Sequence, residues 1–414
     1  MTYGTITHAL KVEALRLGFA AVAIADVEPM DETRTVFETR IARGSYSGLP
    51  WFTVERAVRS TDPARSLDGV RSVISLAAPY RAVLDADEAT LGDEPRGRIA
   101  RYAWGRDYHR ALERPVKQLA GWLAERSAGT RSRMMIDHGP LAERAIAARG
   151  GLGWFGKSTN LLTPAAGSWV LLAELLTTAE LEPDAPLRKS CGSCARCIVA
   201  CPTGAIVGPN DLDNNLCISY QTIENRGAIP RPLRPLLGDW IFGCDVCQDA
   251  CPVPSRAEAM VDFRPATVDV AAPPLIPLLS LTEEQFRHRF AGRPLMRAKR
   301  NGLLRNVCIA LGNLGDDRAV PALTDALNDT SPLVRGHAAW ALGRLGMRAP
   351  LDIARHREQD ANVRAEIDAT LAGEGDGTVV PSQQPMGEWL TGRRWTDLSP
   401  DPSSDPSPRR GGEF

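Results

Sequence analysis

The sequence predicts a multidomain chain: an N-terminal α/β domain, a small cysteine-rich module and a C-terminal array of paired α-helices. Three observations predict it. Apolar strand-like runs alternate with helical patterns over residues 1–185. Eight of the nine cysteines fall between residues 191 and 251. Beyond residue 300 the chain repeats itself at a period of 31. With 414 residues, 43% hydrophobic and 24% charged, there is core material for roughly two to four domains. The net charge of −1 does not argue for nucleic acid, so any basic surface must be local. The N-terminus MTYGTITHAL lacks the basic and apolar regions of a signal peptide, and no run of about 18 apolar residues occurs. A cytoplasmic protein without a membrane span is expected.

In chain order, Ile6, Leu10, Ala14 and Leu17 recur at helical spacing, and Gly18 ends that helix. Ala20–Ala25 reads as a strand. Residues 31–60 read as helix, then a Gly/Ser/Pro loop from Gly44 to Pro50, then helix. SVISLA, residues 72–77, is a second buried strand, and residues 84–98 look like a surface loop. Asp107–Ser127 is a long helix carrying Leu112, Val116, Leu119 and Leu123. Arg133–Ile136 and Ser168–Leu176 complete the strands of the α/β domain. The cysteine module is expected over 186–256 and a Pro-rich connecting segment over 257–299. In the repeats, Leu311-Gly312 and Leu314-Gly315 match Leu342-Gly343 and Leu345-Gly346, with a weaker third copy from Asn362 to Leu371. Paired amphipathic helices of this length resemble HEAT repeats over 300–372. Residues 373–414, rich in Gly, Pro, Ser, Asp and Arg, are expected to be a disordered tail.

The cysteines carry the clearest chemistry. Cys191-x2-Cys194-x2-Cys197-x3-Cys201-Pro202 is answered by Cys244-x2-Cys247-x3-Cys251-Pro252. This is the run of a two-cluster ferredoxin, in which the fourth cysteine reaches the other cluster. The second run lacks one ligand, and Cys217 is available upstream. One [4Fe–4S] cluster is therefore assigned to Cys191, Cys194, Cys197 and Cys251, the other to Cys201, Cys217, Cys244 and Cys247. Zinc takes separated pairs without the Cys-Pro ending, and a disulfide framework needs an oxidising compartment. Cys308, in an apolar helical run, is expected to be a small buried hydrophobe.

Asp137 stands where a strand meets Gly139-Pro140. Apolar neighbours would raise its pKa and suit it to general-acid work. The alternative is a helix cap ahead of Pro140. Gly151-x4-Gly156-Lys157-Ser158 is formally a nucleotide phosphate-loop match, but no strand precedes it. A tight loop beside a large polar cofactor is the better reading. Arg101 to His109 (RYAWGRDYH) gathers aromatic and ionisable side chains at a loop-to-helix junction, either lining a planar ligand or packing a helix start with Asp107 as cap. Asp107-Tyr-His109 lacks the glycine of a cobalt-ligating DxHxxG motif, because Leu112 takes its place. Arg297, Lys299, Arg300 and Arg305 open the repeats as a basic cluster, placed to meet RNA phosphates.

Together RYAWGRDYH, IDHGPLAERAIAARGGLGWFGKSTNLL, GSWVLLAELL, the two cysteine runs and LLRNVCIALGNLG resemble the epoxyqueuosine reductase family over about residues 1–372. The resemblance implies an N-terminal cobalamin-binding α/β domain, with base-off cobalamin and no protein histidine on cobalt. It implies reduction of an epoxide on the wobble base of tRNA to the alkene of queuosine. Asp137 would be the proton donor. Arg56, Asp137, Lys157, Ser158, Ser219 and Asp245 fall in segments that would surround the corrin. His138 stands where the family more often has a small hydroxyl residue. The implied partners are tRNA with a GUN anticodon carrying epoxyqueuosine and a flavodoxin- or ferredoxin-like electron donor, with the chain a monomer. Two other classes compete: a reductive dehalogenase-like cobalamin oxidoreductase, which would carry an export signal and lack the repeats, and an iron–sulfur electron-transfer protein, which would leave the N-terminal domain without a role.

Overall fold

The structure, a computed structural model, describes residues 3–84, 91–373 and 384–392. Its N-terminal part is built on a four-stranded sheet of β1 (Ala21–Ala25), β2 (Ser72–Pro79), β4 (Ser132–Met135) and β7 (Val170–Thr177). The spatial order is β1-β2-β7-β4, and every pair is antiparallel. All eight residues of β2 are buried because both faces of the sheet are covered. Ile74, Leu76 and Ala78 point one way, onto Leu10 and Ala14 of α1 (Tyr3–Arg16) and onto α4 (Tyr108–Arg126). On α4 the residues Leu112, Val116, Leu119 and Leu123 form that face, as their spacing predicts. Each such side chain contributes about 1.5–3 kcal/mol by leaving water. Val73 and Ala77 point the other way, towards α5 (Glu143–Arg149).

The glycine-rich stretch before residue 160 is a β-hairpin, β5 (Trp154–Phe155) against β6 (Leu161–Leu162). A Cβ on Gly153 would stand 2.4 Å from the Leu162 carbonyl oxygen. The glycines there let the hairpin close on itself; they do not shape a phosphate cradle. The loop Gly44–Pro50 lies between α2 (Asp31–Ala42) and α3 (Val54–Ser60).

The cysteine module holds three short helices, α6 (Arg196–Ala200), α7 (Ile218–Ile223) and α8 (Val246–Asp249). Its strand β8 (Trp240–Phe242) pairs in parallel with β3 (Arg98–Ile99) of the first domain. Arg98 is therefore buried, with Asp239 3.0 Å away, and the C-terminal end of the expected surface loop is core instead. Residues 85–90 of that loop lie outside the described residues. After α9 (Val268–Ala271) and α10 (Glu283–Phe290) come the repeats: α11 (Lys299–Leu314), α12 (Val320–Ala326), α13 (Pro332–Arg344), α14 (Arg348–Arg357) and α15 (Ala361–Leu371). Leu311 and Leu342, one period apart, are both fully buried. Cys308 is buried in α11, as expected of a small hydrophobe.

One expectation fails at the C-terminus. Residues 384–392 are ordered, with α16 (Met386–Leu390) placing Trp389 and Leu390 in the core. Composition counts Gly and Pro and overlooks one Trp-Leu pair with a socket to fill. Residues 374–383 and 393–414 lie outside the described residues. Among the described residues no helix is long and apolar enough to cross a membrane.

Candidate active site and cluster module

Asp137 follows β4 with φ of 57°, a left-handed conformation that aspartate tolerates better than most residues. The turn is held by its own N–H, which donates to Glu143 Oε1 at 2.7 Å. Asp137 caps no helix: α5 begins at Glu143, and Ala142 is its N-cap without a side-chain bond. The Asp137 side chain is exposed, not enclosed by apolar neighbours as the sequence suggested. The Tyr108 hydroxyl donates to Asp137 Oδ2. Burial first, and Asp137 second, raise that phenol far above its usual range, so it stays a donor. Tyr108 starts α4, where Asp107 caps the helix by accepting from the His109 N–H at 2.9 Å. The His109 ring stacks on Tyr108, with centroids 4.2 Å apart.

Desolvation falls instead on Glu143, whose carboxyl is pushed up to about 8, with the Asp137 charge adding to the rise. The folded chain binds this proton more tightly than the unfolded chain. Its contribution to stability is complete below the ordinary value of 4.5 and is lost as pH climbs through about 8. Glu143→Gln removes that loss. Melting temperatures of the two proteins should diverge in favour of the variant from about pH 5 upward; parallel curves to pH 9 would show that Glu143 does not titrate this way.

The other sequence candidates lie on a closed circuit of contacts around this site. Arg56, over the Trp51 ring, donates from Nη2 to the Gly139 carbonyl at 3.2 Å. Arg144 Nη1 donates to Thr159 O at the hairpin tip, 2.9 Å away. That tip carries Lys157 and Ser158, and Asn160 Nδ2 there meets Cys247 Sγ at 3.6 Å. The Lys157 carbonyl accepts from Asn210 N at 3.0 Å, and Asp211 pairs with Arg43 at 2.7 Å. Asn215 and Tyr220, flanking Ser219, bind the Gly44–Pro50 loop. Tyr220 Oη donates to Gly48 O at 3.0 Å, leaving no room for a Cβ on Gly48. A cleft of about 420 Å³ lined by Tyr46, Phe52 and Thr53 opens on this circuit. Asp245 is set apart: it is fully buried, held by Arg101, and pushed up to about 7 by burial against that guanidinium. It braces the cluster turn behind the site.

The thiols group as two sets. Burial pushes Cys197 up to about 11, and its thiol neighbours are Cys251, Cys191 and Cys194. Cys247 is raised by burial and then by Cys217 and Cys201, and Cys244 by burial and then by Cys247. Cys197 also acts on Cys247, so the sets adjoin. Buried thiols crowded in this way keep their protons because their thiolates would repel one another, and they become favourable donors once iron replaces those protons. The residues present thus fit two [4Fe–4S] clusters.

The basic cluster divides. Arg297 is exposed, is bonded to Glu224 at 2.7 Å, and its raised pKa reflects Glu224 first and then Tyr108 and Asp137, so it faces the Asp137 turn. Lys299 is exposed. Arg300 pairs with Asp329 at 2.5 Å, and Arg305 is fully buried, donating to the carbonyls of Asn225, Gly227 and Gln221. Arg300 and Arg305 are therefore structural and do not present a phosphate-binding surface. Sequence reasoning missed Glu143 as the holder of the Asp137 turn. It also missed Trp389, and it missed the partners of Arg101, namely Asp245 and Trp389, which lie more than 140 residues from it in the chain.

Two family models cover the second half: a 4Fe-4S double cluster binding domain over residues 190–254 and HEAT repeats over 295–372. With the exposed Asp137 turn, whose neighbour Arg144 holds the hairpin tip that reaches Cys247, they define an iron–sulfur oxidoreductase that carries a helical-repeat arm. A third model, described as Epoxyqueuosine reductase QueG, DUF1730, matches residues 60–138, and the epoxyqueuosine reductases of Escherichia coli (36% identical over 341 residues; 82% of this chain, 89% of that one) and Bacillus subtilis (32% over 361; 86% and 92%) are similar nearly end to end. The chain belongs to the epoxyqueuosine reductase family. Among solved structures, an epoxyqueuosine reductase with an epoxyqueuosine-modified tRNA-Tyr stem loop superposes with a TM-score of 0.81 at 31% identity, covering 89% of this chain and 98% of that one. The B. subtilis enzyme with its catalytic aspartate loop swung out of the active site gives 0.82 at 30%, covering 89% and 99%.

Proposed function

We propose that the chain reduces epoxyqueuosine at the tRNA wobble position to queuosine, with Asp137 as proton donor. The observation that carries the assignment is the exposed Asp137 carboxyl, bonded to Tyr108 and facing Arg297, beside a hairpin tip that Arg144 holds and that reaches Cys247 through Asn160. The polar segments around Asp137 would suit a large cofactor with a polar rim, and cobalamin would be that group. It would be held by Arg56, Lys157, Ser158 and Ser219. Bound there, cobalamin would supply the low-potential reductant that no side chain can be, with the clusters as its electron source.

Opening the epoxide breaks both C–O bonds, forms C=C, consumes two electrons and two protons, and releases water. The oxygen needs a proton as it departs. Tyr108 occupies Asp137 Oδ2, which leaves Oδ1 to deliver it. The Glu143 bond to the Asp137 N–H keeps the carboxyl at the end of β4 instead of letting the turn relax. The modified base must leave the anticodon stack to reach this site, and Arg297 and Lys299 stand at its approach as phosphate contacts. The full reading is a cytoplasmic monomer acting on tRNA with a GUN anticodon and taking electrons from a flavodoxin- or ferredoxin-like donor. Its units are 1–185, 186–256, 257–299 and 300–372. The decisive assay supplies the loaded enzyme with tRNA carrying the epoxide and measures released nucleosides by mass. Absence of the alkene nucleoside would refute it.

The split in the basic cluster gives its own expected result. Arg297→Ala and Lys299→Ala should weaken tRNA binding and lower its salt dependence by roughly one counterion per lost contact, at unchanged melting temperature. Arg305→Ala should instead cost about 3 kcal/mol or more of stability, because it strips buried carbonyls of their donor. A stable Arg305→Ala protein with weakened tRNA affinity would reverse the division.

A further inference from the structure

The ordered C-terminal segment sits on a specific object, the Arg101 side chain. Arg101 is fully buried. Its Nη1 lies 3.2 Å from Asp245 Oδ2 and 3.1 Å from both oxygens of Asp249. The Arg101 N–H also donates to Asp245 Oδ2, at 2.9 Å. Asp245 follows Cys244, and Asp249 lies between Cys247 and Cys251. One guanidinium thus pairs with two carboxylates of the turn that presents three of the eight thiols. Unneutralised, those carboxylates would sit in a low-dielectric site beside anionic thiolates, where like charges repel strongly.

Trp389 closes the other side of that guanidinium. Its carbonyl accepts from Arg101 Nη2, and its ring lies 5.0 Å from the guanidinium carbon, with the rings of Trp104 and Trp169 at 5.4 and 5.1 Å. Trp389 meets Trp104 and Trp240 edge to face, with centroids 5.4 and 5.5 Å apart. The segment is held along its length. Arg98 Nη2 donates to Gln384 O, Leu84 N to Leu390 O at 2.9 Å, and Arg81 Nη2 to Gly392 O at 2.7 Å. These anchors all come from the first domain, not from the repeats that precede the segment in the chain. The HEAT match ends at residue 372, so the segment is an addition to the repeat array.

We propose that residues 384–392 form a clasp in which Trp389 is a positioning residue, sealing Arg101 against Asp245 and Asp249 and so holding the turn that presents Cys244 and Cys247 to the second cluster. The proposal rests on the two-cluster reading. Trp389 acts through Arg101, by keeping water from the guanidinium, which strengthens both ion pairs.

The test follows iron release from the anaerobically loaded full-length protein to a ferrous chelator, with the EPR signal of each reduced cluster as a second readout. Wild-type chain, Trp389→Ala, Trp389→Phe and a chain ending at Gln383 are compared. The alanine variant and the shortened chain are expected to lose about half their iron roughly tenfold faster, as the ion pairs weaken by about 1.4 kcal/mol, and to show an altered signal for one cluster only. Trp389→Phe, which keeps an aromatic wall and the main-chain acceptor, is expected to stay near wild type. Uniformly faster loss of all iron, or unchanged release in both the alanine variant and the shortened chain, overturns the clasp. A wild-type chain that never holds about eight iron atoms refutes the cluster reading instead.

Discussion

Asp137→Asn is expected to lower alkene formation by about 100-fold or more while cobalamin still binds and the clusters still reduce it. Asparagine keeps the shape, accepts the Tyr108 bond through its carbonyl oxygen and tolerates the left-handed backbone at φ 57°. It lacks only the acidic proton. Asp137→Ala should be as inactive and also less stable by about 1 kcal/mol, because alanine is strained at positive φ. The cause is backbone strain and not a lost cap, since α5 takes Ala142 as its N-cap. Asp137→Gly separates the two: equally inactive, it should be at least as stable as the parent. Single-turnover alkene formation and thermal melts of the three variants decide the matter. Near wild-type turnover in Asp137→Asn, with cofactors intact, would move the proton donor elsewhere.

Cys217→Ala should abolish turnover altogether. Cys217 stands alone in sequence, 16 residues after Cys201 and 27 before Cys244, yet the fold sets it against Cys201, Cys244 and Cys247. Without it the second cluster loses one of four irons' ligands, while Cys191, Cys194, Cys197 and Cys251 keep theirs. Iron should fall to about half and one reduced-state EPR signal should survive. Cys308→Ala is the control: that thiol is buried in α11, and its loss should leave iron content unchanged. Full iron and both signals in Cys217→Ala would dissolve the assigned sets.

The elements of the α/β domain were legible because their periods are plain. Leu112, Val116, Leu119 and Leu123 can share only one helical face, and the SVISLA run is too short and too apolar for anything but a buried strand. The cysteine runs were legible because cluster ligation constrains spacing itself. The rest depended on partners distant in the chain. Gly151 to Gly156 looked like a cradle for a ligand because Leu162, the carbonyl that demands Gly153, lies across a hairpin. Arg300 and Arg305 looked like Lys299, and nothing local says that two of the three meet Asp329 and the carbonyls of residues 221–227. Asp137 looked like a cap because Asp before Gly-Pro commonly is one; the turn ran three residues longer than that pattern assumes.

The first repeat helix has a consequence for how this chain can be divided. Arg305, Asn306 and Asn313 on α11 satisfy the carbonyls of Gln221, Thr222, Arg234, Gly238 and Ile241, all within the stretch that links Cys217 to Cys244. The arm is therefore not an appendage that could be trimmed or exchanged. Shortening the chain before residue 299 would expose those carbonyls and unfasten the loop between two cluster ligands. The first repeat and the cluster module share one scaffold, so any minimal reductase cut from this sequence has to keep its first repeat.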